Sequence, residues 1–197
     1  MLFQVGKARK RMAGHMASGR ALDVGCGSGR LSAELFQAGA SEVWGLDPSP
    51  YMLKIAQGRS PKAHFVQGLI EDNDFPDNFF DSVGVCFVLH ELPKHITEQT
   101  IAELHRILKP GGVLCITEPC REHIDERNLL RLVKHHGLKG LYFHFLAKSV
   151  YEPFLEDWQS LGDHGQWLKD VGFELLDQTV DVPFQLLVAR KAISLPA

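Results

Sequence analysis

Ala21-Leu22-Asp23-Val24-Gly25-Cys26-Gly27-Ser28-Gly29 is the stretch whose reading decides the fold. Its first residues make a short apolar strand, and glycines on alternate positions end that strand in a tight turn from which a helix opens. Glycine lets a backbone approach a ligand that a Cβ would push away, and the first turn of the helix presents unpaired N–H groups. Asp47 closes the next apolar run, Val43-Trp44-Gly45-Leu46-Asp47, and is placed there to accept two ribose hydroxyls. Together these features describe a nucleoside-containing ligand lying across the carboxyl edge of a parallel sheet. A dinucleotide fingerprint needs glycine at its first, third and sixth positions. Counted from Gly25, the sixth position is Arg30, which argues against NAD and FAD.

Outward from this turn the chain alternates strands with helices. Leu31, Leu35 and Ala38 fall on one helical face that Gly39 terminates, and Ser49-Pro50 is an N-cap with proline at the first helical position. Met52, Ile55 and Ala56 are the expected apolar face of this second helix. His64-Phe65-Val66 is a short strand, and Phe80 to Val88 reads as a nearly continuous apolar strand, as expected at the centre of a sheet covered on both faces. Ile101, Leu104 and Leu108 are expected on one face of a helix stopped by Lys109-Pro110-Gly111-Gly112, with Val113 to Thr117 as strand five. Such alternation implies right-handed crossovers and a parallel sheet. The end of the chain differs: a helix carrying Trp167, Leu168 and Val171 is closed by Gly172, and Phe173 to Thr179 and Phe184 to Arg190 form a hairpin on the sheet edge.

With 197 residues, 45% of them hydrophobic, one domain is expected over residues 1–197. A net charge of -3 gives no electrostatic case for nucleic acid, and a small molecule is the default substrate. Cys26, Cys86, Cys115 and Cys120 lack C-x-x-C spacing, so neither zinc nor a disulfide framework is indicated; a reduced, cytoplasmic setting is expected. No apolar run reaches the length of a membrane span. The basic run Lys7-Ala8-Arg9-Lys10-Arg11-Met12 reads as a solvated helix face, with peripheral contact to an anionic membrane as the alternative.

Several motifs in fixed order carry a resemblance: Asp23 to Gly29, then Phe65-Val66-Gln67-Gly68, Phe75-Pro76-Asp77 to Asp81, Phe87-Val88-Leu89-His90-Glu91-Leu92-Pro93 and Arg106-Ile107-Leu108-Lys109-Pro110-Gly111-Gly112. The chain resembles the class I methyltransferases that use S-adenosylmethionine (SAM), in particular the small-molecule enzymes related to ubiquinone and menaquinone biosynthesis. The resemblance implies an α/β, Rossmann-like fold: a seven-stranded, mostly parallel sheet of order 3-2-1-4-5-7-6 with helices on both faces. It further implies SAM as cofactor and S-adenosylhomocysteine as product. Asp23, Gly25, Cys26, Gly27 and Gly29 would pass under the methionine part, with Asp23 near its ammonium, and Asp47 would hold the ribose. Leu46, Pro48 and Ile70 would sandwich the adenine, and Phe87 would line the methionine side through its backbone. One position departs from the family: Leu69 stands where an aspartate often accepts from the adenine amino group, so Glu71 or Asp72 would have to supply that contact.

Methyl transfer from a sulfonium is an in-line displacement, so alignment and exclusion of water can supply much of the catalysis. A base is needed only for a hydroxyl, phenol or acidic carbon. The candidates are His90 and Glu91 after strand four and Glu118 after strand five. Residues 120–160, rich in Leu141, Tyr142, Phe143, Phe145, Tyr151 and Phe154, are the expected substrate lid and suggest an aromatic or lipophilic acceptor. His135, His136 and His144 have no carboxylate at a ligating spacing, and no metal is expected. The alternative readings are a SAM-binding regulatory or subunit role without catalysis, and a SAM-using transferase that moves another group.

Overall fold

The computed structural model describes residues 2–120, 153–181 and 184–193, together with helical positions 129, 130, 133, 134, 137, 138, 140–142 and 145. The described elements run α1 (Leu2–His15), β1 (Arg20–Val24), α2 (Arg30–Ala38), β2 (Glu42–Asp47), α3 (Pro50–Arg59), β3 (His64–Gln67), β4 (Phe80–Cys86), a 3-10 turn (Leu89–Glu91), α4 (Lys94–Ile107), β5 (Leu108–Pro119), α5 (Leu155–Ser160), α6 (His164–Asp170), β6 (Phe173–Asp181) and β7 (Phe184–Lys191). Seven strands form one sheet of order β3-β2-β1-β4-β5-β7-β6, as the resemblance implied. The pairs among β1 to β5 are parallel, and β7 runs antiparallel to both β5 and β6.

Side chains alternate between two apolar layers, as the pleat of a strand requires. Leu22, Val24, Leu46, Val83 and Val85 join Ile101, Leu104 and Ile107 of α4 and Leu155, Trp158 and Leu168 of α5 and α6. Ala21, Val43, Cys115 and Val188 instead pack with Met12, Ala13 and Met16 of α1 and Leu31 and Leu35 of α2. Gly39 adopts the left-handed conformation that ends α2, and Ser49 Oγ accepts the Met52 N–H at the start of α3.

Several expectations change in detail. α4 ends at Ile107, so Leu108 is not on its face: it pairs with Phe80 as the first residue of β5, and residues 109–112 bulge out before Val113 meets Ser82. Of the expected apolar face of α3 only Ala56 is buried; Met52 and Ile55 are exposed. Strand β4 stops at Cys86 because Phe87 takes φ 60. The basic N-terminal run is not merely a solvated face. Its Lys7, Lys10 and Arg11 are exposed, but Met12, Ala13 and Met16 at the helical spacing bury α1 against α2 and the sheet. If α1 is integral to the core, Met12→Ala should cost about 2–4 kcal/mol, read as a lower urea midpoint at unchanged slope. A midpoint equal to wild type would mean that α1 is dispensable.

Candidate functional site

Three acidic side chains stand near the carboxyl ends of β1, β2 and β5, and each is tied to backbone N–H groups of the loops that follow the strands. Asp47, the last residue of β2, accepts the Gly27 N–H at 2.8 Å on Oδ2 and the Ser49 N–H at 2.9 Å on Oδ1. A carboxylate offers about four acceptor positions. Each Asp47 oxygen therefore keeps a lone pair for a hydroxyl beside the two amides. Gly25, Gly27 and Gly29 all have positive φ, but for different neighbours. A Cβ on Gly25 would strike Val88, whereas a Cβ on Gly27 would meet nothing within 4 Å, so the open side of Gly27 is where a ligand can approach. The Cys26 N–H is spent on the Leu46 carbonyl, and Arg59 of α3 donates to the Ser28 carbonyl.

Asp23 is 2% exposed and accepts both the backbone N–H and the hydroxyl of Ser32 on Oδ2, at 2.8 and 2.7 Å. Burial pushes its carboxyl up to about 7, while the two Ser32 hydrogen bonds and the Arg9 guanidinium pull it back. Arg9 also lies close enough to the Cys86 thiol to hold its value down, although burial pushes that thiol up to about 12. The N-terminal helix thus sets a cation against the turn. A solvated-face reading misses this contribution, and the only clue to it in sequence is the i, i+4 pairing of Met12 with Met16 below the basic run. Ser32 is likewise unmarked in the sequence, since a serine two residues into a helix carries no signal of its own.

The adenine-side candidates separate. Leu46 and Ile70 are buried in the core, Pro48 is exposed at the rim, and its carbonyl accepts from the Gln67 side chain. Leu69 is 49% exposed in a turn that pairs it with Asp72, and Glu71 is half-buried within that turn.

On the other side the three base candidates converge. Glu118 is fully buried; Oε1 accepts the Val88 and Leu89 N–H groups at 2.8 Å each, and Oε2 lies 2.5 Å from His90 Nδ1. Because this carboxylate already accepts twice, Nδ1 is the donor to it. Glu91 approaches the other ring nitrogen at 3.4 Å from an exposed position. Phe87, whose φ of 60 is strained for a bulky residue, donates its N–H to the Thr117 carbonyl and stands edge-on to Phe184 at 4.6 Å and to His90 at 6.2 Å. Of the expected lid, residues 121–128, 146–152 and several positions between lie outside the described residues, as do His135, His136 and His144. Its described end is core rather than lid: Leu155 and Trp158 are buried, and Trp158 stacks on His164 at 3.9 Å and donates to the Pro119 carbonyl. Among the described residues no helix is long and apolar enough to cross a membrane, and no cluster of three or more His, Cys, Asp or Glu could hold a metal.

These features fit SAM: an open glycine turn, a carboxylate with spare acceptors for paired hydroxyls, and a buried carboxyl beside the turn that a cationic group would hold in its charged form. The comparisons agree. Residues 22–116 match the methyltransferase domain model. An uncharacterized methyltransferase of Synechocystis is 40% identical over 99 residues, 50% of this chain and 46% of that protein. A demethylmenaquinone methyltransferase of Lysinibacillus sphaericus is 35% identical over 147 residues, 70% of this chain and 62% of that protein. The chain thus spans about half the length of the first of these relatives. In structure, an S-adenosylmethionine-dependent methyltransferase of Mesorhizobium loti superposes with a TM-score of 0.66 at 19% identity, over 92% of this chain and 95% of that one.

The raised Asp23 carboxyl has a signed consequence. Its folded value of about 7 exceeds the ordinary 3.8, so its contribution to stability is fully present below pH 3.8 and is lost as pH rises through about 7. Relative to Asp23→Asn, the wild-type protein without ligand should lose denaturant resistance between pH 4 and 8. A pH-independent difference between the two proteins would contradict the burial argument.

Proposed function

We propose that the chain is a class I, SAM-dependent methyltransferase, a reading supported by the methyltransferase domain match at residues 22–116, and that it transfers a methyl group to a small oxygenated aromatic acceptor. The observation that carries this reading is Asp47, braced by Gly27 and Ser49 with one acceptor per oxygen left for the two hydroxyls of a ribose. The demethylmenaquinone methyltransferases among its relatives support a quinol-like ring as acceptor.

When bound, SAM supplies an electrophilic methyl on a sulfonium, whose carbon–sulfur bond breaks as the bond to the acceptor forms. The Gly25 to Gly29 turn would receive the methionine part, with Asp23 charged beside its ammonium and Phe87 along its side. Pro48 at the rim, with Leu46 and Ile70 in the core behind it, would border the adenine, and Glu71 would take the contact to its amino group that Leu69 cannot make. Glu118 holds His90 through Nδ1, so that the other ring nitrogen, Nε2, takes the proton leaving a phenolic acceptor. The imidazolium so formed stands between the carboxylates of Glu118 and Glu91, which stabilise its charge. Glu118, with both oxygens engaged and no exposure, acts as a positioning residue rather than as the base itself.

Calorimetric titration with S-adenosylhomocysteine and SAM, NADH serving as control, tests the cofactor half. Micromolar binding of both sulfur nucleosides, weakened more than about tenfold in Asp47→Ala by loss of charge-assisted hydrogen bonds, is expected, with a smaller loss in Glu71→Ala. Turnover of naphthalene-1,4-diol with SAM tests the transfer. His90→Ala should lower kcat by roughly a hundredfold or more with little change in SAM affinity; equal losses in both would remove His90 from the chemistry. Tight nucleoside binding with no methylated product from any phenol would favour a SAM-binding, non-catalytic role.

A further inference from the structure

On the α1 face of the sheet, a row of polar groups runs along the carboxyl edge from Asp23 through Cys86 and Thr117 to Thr179. The register makes the row: Cys86 is opposite Thr117, Thr117 is opposite Leu186, and Leu186 is opposite Thr179, so these side chains share one face. Beyond Cys86 the row borders a cavity of about 70 Å³ between α1 and the β5-β7-β6 ribbon, lined among others by Ala8, Arg11, Thr117, Phe184 and Gln185. Thr117 is 1% exposed, and its hydroxyl has no hydrogen-bond partner among the described residues. A buried hydroxyl without a partner is costly, and such groups are ordinarily paired. Here the hydroxyl belongs to a residue lining a cavity that the Phe184 ring borders on the same ribbon and α1 closes from the other side.

From this geometry we propose that the cavity is an acceptor subsite, in which Thr117 Oγ1 hydrogen-bonds a hydroxyl or carbonyl oxygen carried by the acceptor ring. The inference rests on the methyl-transfer reading above and names the acceptor's chemistry. Phe184, on the cavity wall, stands edge-on to Phe87, and Phe87 to His90, so two ring contacts link the cavity to the base around the carboxyl edge of the sheet. The Thr117 carbonyl also holds the Phe87 N–H, which fixes the distance between the two. The oxygen is an uncharged one. Among the described residues, Arg11 on the rim is already bound to Asp177 and Thr179, and Lys7 is matched in charge by Asp181, so no cation on the rim is left without an acidic counterpart to favour a carboxylate or phosphate. A single water needs roughly 10–15 Å³ of such volume. The cavity therefore takes an oxygen substituent and the ring edge that bears it, not a whole two-ring molecule.

The test is titration of the protein saturated with S-adenosylhomocysteine, under reducing conditions, with naphthalene-1,4-diol and with 1-naphthol. Thr117→Val keeps the shape and removes the hydroxyl; Thr117→Ser keeps the hydroxyl. The expected result is that Thr117→Val weakens the diol roughly three- to tenfold, abolishes its advantage over 1-naphthol, and leaves S-adenosylhomocysteine affinity unchanged, while Thr117→Ser binds the diol as wild type does. Equal diol affinity in wild type and Thr117→Val would mean that the cavity holds water only and would overturn the proposal. So would a parallel loss of S-adenosylhomocysteine affinity, or failure of the wild-type complex to bind the diol at all. Diol binding that depends on Thr117, without methylated product in the presence of SAM, would leave the subsite standing and remove the methyl-transfer reading instead.

Discussion

Buried carboxylates holding backbone amides at the carboxyl edge of the sheet are the constraint on which the site depends. Asp23, Asp47 and Glu118 come from β1, β2 and β5, and all are below a tenth exposed. Between them they accept five backbone N–H groups: Ser32, Gly27, Ser49, Val88 and Leu89. Taking a carboxylate out of water costs several kcal/mol, and only close, well-directed donors return it. The cost is thus tied to loop geometry: the glycine turn, the start of α3 and the 3-10 turn after β4 must each sit where their amides meet an acid. A parallel sheet supplies the anchor points at a common edge, and the acids turn that edge into a fixed frame rather than a set of independent loops.

The three acids are not equivalent. Asp47 keeps one lone pair per oxygen beside amides that do not neutralise it, which suits paired hydroxyls. Asp23 is deeper, and burial raises its carboxyl to about 7 despite two hydrogen bonds from Ser32, so a cation beside it would draw the proton off. Glu118 is fully engaged by two amides and an imidazole and can only hold its partners in place. One kind of group, a carboxyl, at three strand ends therefore meets three surroundings: spare acceptor positions at Asp47, deep burial at Asp23 and full engagement at Glu118. What separates them is the number of donors that each loop brings.

Much of this was legible in the sequence. The alternation of apolar runs, the Ser49-Pro50 cap and the Gly39 terminus are local signals, and the elements they mark stand where they were read. The glycine turn and Asp47 could be placed together because strand-turn-helix geometry puts them at one edge. What could not be read was whatever depends on packing across the sheet. Met52 and Ile55 have helical spacing, yet α3 turns only Ala56 inward. Leu108 continues the apolar period of α4, but pairing with Phe80 claims it for β5. The basic run of α1 hides a buried Met12-Met16 stripe, and nothing local indicates that Arg9 reaches Cys86. His90, Glu91 and Glu118 were separate candidates in sequence and became one cluster only when β4 and β5 paired.

The strained backbone at Phe87 follows from the same frame. A phenylalanine at φ 60 costs on the order of 1–3 kcal/mol and persists only where surrounding contacts over-determine it. Here they do so from both sides: the Phe87 N–H is held by Thr117, and the next two N–H groups are drawn onto Glu118. An extended Phe87 would carry β4 onward and point the Val88 and Leu89 amides away from Glu118, leaving a buried carboxylate without its donors. The left-handed turn is therefore the cheaper state, and its effect is to swing the Phe87 ring onto Phe184 and to bring His90 beneath it. Strain at one backbone position is thus exchanged for a satisfied buried charge, and the exchange brings the histidine, the aromatic wall and the Thr117 cavity to one end of the sheet.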